Sequence, residues 1–200
     1  MMKTLIQSTT RYTLYSVLLI TSYSANASDS SDIGFYFGAG ISQTTLAVKQ
    51  QNMALAYGTS PTSSYETNGL GLLLTAGITL DEYLGFEASY TEIGSIALDN
   101  GNTQQKMFDA DMFNINAILR TPISENISIF GKLGVSYWST YDEDLNVMES
   151  GNGIIYGAGF DFNIYGNNNR TLRVDWQHQE FENITFTDAD TITATAIFNF

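Results

Sequence analysis

The last twelve residues, 189–200, read Ala-Asp-Thr-Ile-Thr-Ala-Thr-Ala-Ile-Phe-Asn-Phe. Every second residue back from the end is Phe200, Phe198, Ala196, Ala194 and Ile192, and between them stand Asn199, Ile197, Thr195, Thr193 and Thr191. One set is apolar; the other is mostly hydroxyl and amide. Only an extended strand, whose side chains alternate between two faces, sorts such a sequence cleanly. A helix would scatter both sets around its circumference. A strand ending a soluble β domain and a strand closing a membrane barrel both fit this segment, so the rest of the chain has to decide.

The same period of two recurs seven more times, at residues 33–43, 68–80, 83–93, 109–121, 127–138, 154–164 and 170–182. In 68–80, Leu70, Leu72, Leu74, Ala76 and Ile78 alternate with Gly69, Gly71, Leu73, Thr75 and Gly77. In 109–121, Phe113, Ile115, Ala117 and Leu119 alternate with Asn114, Asn116, Ile118 and Arg120. The connections also alternate. Those at 80–83, 121–126 and 165–170 are short and rich in turn residues, whereas 49–65, 96–106 and 141–153 are longer polar loops, followed by a short one at 183–188. Eight strands with tight turns at one end and longer loops at the other is the plan of a small transmembrane barrel.

Composition narrows the choice. The chain has 44% apolar residues but only 14% charged ones, against a usual ~25% charged in soluble domains. Lys3 and Arg11, an apolar core over residues 12–20 and the small residues Ala25 and Ala27 predict a secretory leader of residues 1–27, too short to span a bilayer. The predicted domains are that leader and a barrel of residues 28–200. Without the leader's two bases the balance of 8 basic and 21 acidic residues becomes 6 − 21 = −15. Such a chain does not bind nucleic acid, because phosphate contacts need clustered Lys and Arg. It has no cysteine, so no disulfide holds it. After the leader no apolar run is long enough for a membrane helix. Entry into a membrane therefore requires a closed barrel, which leaves no strand edge unpaired in lipid.

Alternation does not say which face points out. A soluble, lipocalin-like barrel keeps its Phe, Leu and Ile inside. Here the opposite face is Gly, Ser, Thr and Asn with few charges, not the Lys- and Glu-rich surface that water favours. Small residues of this kind suit a narrow eight-stranded lumen. Aromatic residues near strand ends (Tyr83, Phe108, Tyr137, Trp138, Tyr165, Trp176, Phe200) are placed as interfacial girdles would be. The apolar face is therefore predicted to face lipid.

On the polar face four charges stand out: Glu87, Lys132, Asp161 and Arg173. Hairpin symmetry places Lys132 opposite Asp161 and Asp161 opposite Arg173, with Glu87 across the lumen from Arg173. Two acids and two bases cancel, as a narrow interior demands of charges removed from water.

These residues carry a resemblance. Gly85-Phe86-Glu87, Gly159-Phe160-Asp161 and Arg173-Val174-Asp175-Trp176-Gln177 resemble the interior charge positions in the transmembrane domain of the outer-membrane protein A family. That family's strand-four lysine falls on Ile118, and Lys132 matches a basic position on its strand five. The family's peptidoglycan-binding domain has no counterpart in this sequence, a plan similar to that of outer-membrane protein X. The closing strand resembles the family's C-terminal assembly signal, with Ile192, Phe198 and Phe200 as its apolar positions. The resemblance implies an all-β, eight-stranded antiparallel up-and-down transmembrane β-barrel in the outer membrane of a Gram-negative bacterium, with both termini periplasmic. It further implies a non-enzymatic role in adhesion, colonisation or envelope stability, with a small porin-like channel as the alternative. The implied partners are outer-membrane lipids and lipopolysaccharide, the barrel assembly machinery, and a host or cell-surface ligand.

Catalytic and metal-binding patterns are weak. His178 is the only histidine; it lacks the serine partner of lipid A deacylases and shares the parity of Trp176, which puts it on the outer face at headgroup level. One histidine without cysteine does not make a usual zinc set. Acids gather at Glu92, Asp109 and Asp111 and at Asp142, Glu143, Asp144 and Glu149. The second group lacks the glycine of a calcium-binding EF-hand loop and reads as a solvated acidic loop, or one bridged to lipopolysaccharide by divalent ions. No catalytic residue, metal or cofactor is expected.

Overall fold

In lipid a strand's backbone must be paired on both sides, and for eight alternating strands closure is the solution that achieves it. The computed structural model describes residues 33–49, 51, 64–66, 68–99, 104–141, 148–164, 169–181 and 186–200. The expected leader and the loop acids Asp142, Glu143 and Asp144 lie outside them.

The strands are β1 (Gly34–Val48), β2 (Ser64–Glu66), β3 (Asn68–Thr79), β4 (Leu84–Asp99), β5 (Gln104–Ser124), β6 (Ile127–Tyr141), β7 (Met148–Asn163), β8 (Arg170–Glu180) and β9 (Phe186–Asn199). The three residues of β2 pair with the far end of β4 and extend the line of β3, so the wall has eight staves. Each stave is antiparallel to its neighbour in the chain, and β9 returns to β1: Phe37 faces both Ala76 of β3 and Phe198 of β9. Pairing of β4 with β5 completes the ring. The fold is a closed eight-stranded up-and-down barrel.

The strands overrun the ends that apolar alternation marks. β4 and β5 remain paired up to Asp99 and Gln104, so only residues 100–103 separate them where a loop over 96–106 was expected. β7 begins at Met148 rather than near residue 154. Alternation of apolar side chains ends where lipid ends, but backbone pairing continues beyond it into water.

The faces divide as the alternation predicts. Leu70 is 78% exposed, Leu119 66% and Ile41 62%, while Thr75, Ser89, Asn114, Asn116, Thr193 and Thr195 are buried inside. An apolar band running around the whole wall is far larger than any patch a soluble monomer tolerates; lipid is the solvent that suits it. Beside Asn116 the wall is drawn tight at Gly134, where a Cβ would run into the Ile115 carbonyl and the Asn116 side chain. Toward the loop end the interior turns apolar. Leu73, Met112, Trp138 and Ile155 are buried there, and the Trp138 and Phe181 rings meet edge to face at 5.7 Å.

Candidate functional site: the interior charge layer

Inward-facing parity brings charged side chains from β4, β5, β6, β7 and β8 to one level of the lumen. Arg173 lies directly opposite Asp161, as the β7–β8 turn predicts. Its Nε and Nη2 donate to the two Asp161 oxygens at 2.7 and 3.0 Å, a bidentate grip. Its Nη1 crosses the lumen to Glu87 Oε2 at 2.5 Å. That same oxygen accepts a hydrogen bond from the Tyr36 hydroxyl at 3.0 Å. One guanidinium thus ties β8 to β7 and to the far wall.

Lys132 does not face Asp161. It stands opposite Gly157, and Asp161 stands opposite Ser128, a register displaced by four residues from the one expected. The expectation centred the hairpin on a loop over 141–153. Pairing continues to Tyr141 and Met148, which moves the centre of the hairpin. Lys132 Nζ instead meets Asp175 Oδ2 at 2.6 Å and approaches Glu87 Oε1 at 3.8 Å.

Two members of the layer, Arg120 and Tyr36, were not singled out from the sequence, and a third, Asp175, entered only within the run Arg173–Gln177. Asp175 takes Lys132 and also accepts hydrogen bonds from Thr193 Oγ1 at 2.6 Å and Gln177 Nε2 at 2.9 Å. Arg120 donates through Nε to Asp161 at 3.0 Å. Tyr36 packs its ring 5.7 Å from the Arg173 guanidinium. Parity was the available sign, since Asp175 follows Arg173 by two residues and Arg120 shares the face of Asn116. The layer is then Glu87, Asp161 and Asp175 against Arg120, Lys132 and Arg173, three charges of each sign. Phe130 lies beneath both cations, 4.5 Å from the Arg173 guanidinium and 5.8 Å from Lys132 Nζ. Charges this deep each cost several kcal/mol to bury (roughly, after relaxation), and they persist because each has a partner and added hydrogen bonds.

Ile118, where the resembling family carries lysine, is buried in the lumen opposite Lys132 and makes the layer partly apolar. A cavity of about 210 Å³ borders Arg120, Asp161 and Arg173 at the turn end. Above the layer, both polar atoms of the Asn116 amide and the Oδ1 of Asn114 are buried without a protein partner. Such groups are ordinarily completed by water.

The remaining candidates lie outside the lumen. Ile192 and Phe198 point outward, Phe200 is 72% exposed, and Phe198 stacks on Phe37 at 6.1 Å across the β1–β9 seam. Glu92 and Asp111 are register partners on the outer face, where Asp111 accepts hydrogen bonds from the Tyr90 hydroxyl at 3.2 Å and from the Ser139 hydroxyl. His178 is also on the outer face, with Nδ1 3.0 Å from Asp190 Oδ1 and its ring 5.1 Å from that of Tyr156.

The model of the outer membrane protein beta-barrel domain matches residues 15–200. Among solved structures the chain is similar to Ail, the attachment invasion locus protein of Yersinia pestis, at 15% identity and a TM-score of 0.55, covering 84% of this chain and 98% of that one. A further structure of that protein is a complex with the heparin analogue sucrose octasulfate. The N-terminal β-barrel domain of Pseudomonas aeruginosa OprF is similar at 12% identity and a TM-score of 0.54, covering 86% of this chain and 100% of that one. Neisserial surface protein A is similar at 12% identity and a TM-score of 0.55, with the same coverages. No curated protein sequence matches. At these identities the likeness is one of fold.

Proposed function

The chain belongs to the outer membrane protein beta-barrel family, a protein of the Gram-negative outer membrane, and from that premise we propose that it is a non-enzymatic barrel whose working surface is its loop end. The observation that carries this reading is the filled lumen. Six charged side chains and Phe130 occupy its middle, with the apolar group around Trp138 above them. A solute would have to break several buried ion pairs to pass. What remains available to a partner is the outer wall, which lipids and lipopolysaccharide cover, and the loop rim, which presents itself to a host or neighbouring cell.

Adhesion and colonisation, or support of the envelope, are the roles that suit such a surface. The acidic balance of −13 over the chain selects basic partner surfaces and opposes sulfated polyanions of the kind found with the Yersinia barrel, because long-range fields steer encounter by sign. On the way to the membrane, the closing strand with Ile192, Phe198 and Phe200 engages the assembly machinery, and residues 1–27 act as a removable leader.

The test has two arms. Purified barrel in planar bilayers should show no steady conductance, and cells displaying it should gain adherence that excess soluble polycation abolishes. Stable single-channel steps would replace this reading with the small channel.

A further inference from the structure

The sole histidine of the chain is not alone on the outer wall. His178 near the end of β8 stands directly opposite Asp190 of β9, and two residues further toward the loop end Glu180 stands opposite Asp188. The potential ligand atoms of His178, Asp188 and Asp190 all lie within 4.8 Å of one another. Directly opposed like charges such as Glu180 and Asp188 are destabilising on a sheet. A cation bound between them would relieve that repulsion.

We infer that His178, Asp188 and Asp190 form a binding site for a divalent transition-metal ion of the zinc type at the loop-end rim of the barrel. An imidazole nitrogen with two carboxylate oxygens is a donor set that zinc accepts, leaving a fourth position open outward to water. Magnesium and calcium are hard ions that take oxygen ligands, so the imidazole nitrogen favours zinc over either. The geometry is close to what is needed. Ligand bonds of about 2.0 Å in a tetrahedron put neighbouring donors about 3.3 Å apart, and His178 Nδ1 already lies 3.0 Å from Asp190 Oδ1.

The surroundings hold the ligands in place. Trp176 Nε1 donates to Asp190 Oδ1 at 3.1 Å, the outer-sphere support that orients a ligating carboxylate. The Tyr156 and Trp176 rings flank the imidazole, their centroids 5.1 and 6.2 Å from its own. Sequence reasoning dismissed the site because it counted histidines and cysteines along the chain. The two aspartates reach His178 only through the β8–β9 register. Bound there, the ion would fasten the loop-side ends of β8 and β9 to each other.

The site is tested with the folded, metal-stripped barrel in detergent, titrated with zinc chloride and followed by calorimetry. Trp176 gives a second readout in a Trp138→Phe background, since the chain has two tryptophans. The expected result is one zinc per barrel with a change in Trp176 emission, weakened at least about tenfold by His178→Ala and by Asp190→Asn. Glu92→Gln, on the outer face of β4 and separated from β8 by three staves, should bind as the parent does, and calcium chloride should compete poorly. Heat-dependent gel mobility reports that each variant is folded. Absence of saturable binding overturns the proposal, as does equal affinity in the parent and the folded His178→Ala and Asp188→Asn variants. Calcium binding as tight as zinc binding also overturns it, because that would report a diffuse acidic rim.

Discussion

Arg173 shows how a single side chain can hold a barrel shut. Its three donor nitrogens serve Asp161 and Glu87 on two other staves. Arg173→Ala leaves both acids under-compensated, and breaking a buried pair from one side costs roughly 3–5 kcal/mol. Adding Glu87→Ala should recover part of that loss, because Asp161 keeps Arg120 and Asp175 keeps Lys132. Adding Asp161→Ala should recover less, because Arg120 then loses its acid. A double-mutant cycle on urea unfolding in lipid vesicles measures this ranking, and simple additivity of Arg173 with Glu87 would exclude the contact across the lumen. Phe130→Leu keeps most of the apolar volume but removes the ring shared by two cations. It should cost about 0.5–2 kcal/mol in the same assay, and an unchanged unfolding midpoint would remove cation–π attraction from the account.

At the level of the strand, the period of two decides which solvent each side chain meets. Leu74, Ile115 and Phe160 are on the outer face of β3, β5 and β7. Arginine at any of them should cost roughly 2–4 kcal/mol near the bilayer midplane. The same substitution at Thr75 or Asn116, both buried in the lumen, acts through crowding and added charge. Equal unfolding free energies for the two sets would mean that lipid does not distinguish the two faces, against the outward placement of the apolar one. Gly134→Ala is a sharper probe of one stave. The new methyl would press on the Ile115 carbonyl and the Asn116 amide, so β5 and β6 must separate. Slower folding into vesicles, with the lipid-facing residues untouched, is the expected result.

For the whole molecule, closure replaces a large hydrophobic core. Each stave is hydrogen-bonded on both sides, and the seam between β1 and β9 runs from Tyr36 and Asn199 to Val48 and Phe186. Among the described residues no stave is left with an unpaired edge from which detergent could unzip the wall, so the unboiled protein should stay folded in dodecyl sulfate and migrate differently from the boiled one on a gel. Identical mobility before and after heating would argue against a closed barrel in solution.

Much of this was legible in the chain. Eight alternating segments, low charge and small residues on the polar face determine a barrel with apolar residues outward, because the alternatives leave unpaired edges in lipid or an uncharged face in water. The Asp161–Arg173 pair was legible too, since a short turn leaves little freedom of register. The partner of Lys132 was not. A long polar connection carries no mark of where pairing stops, and the displacement of four residues sends Lys132 to Asp175. The roles of Arg120 and Tyr36 in the lumen and the meeting of His178 with Asp188 and Asp190 were likewise settled only by the tertiary structure. Contacts between staves depend on stagger around a closed ring, a property of the assembled wall that no single segment encodes.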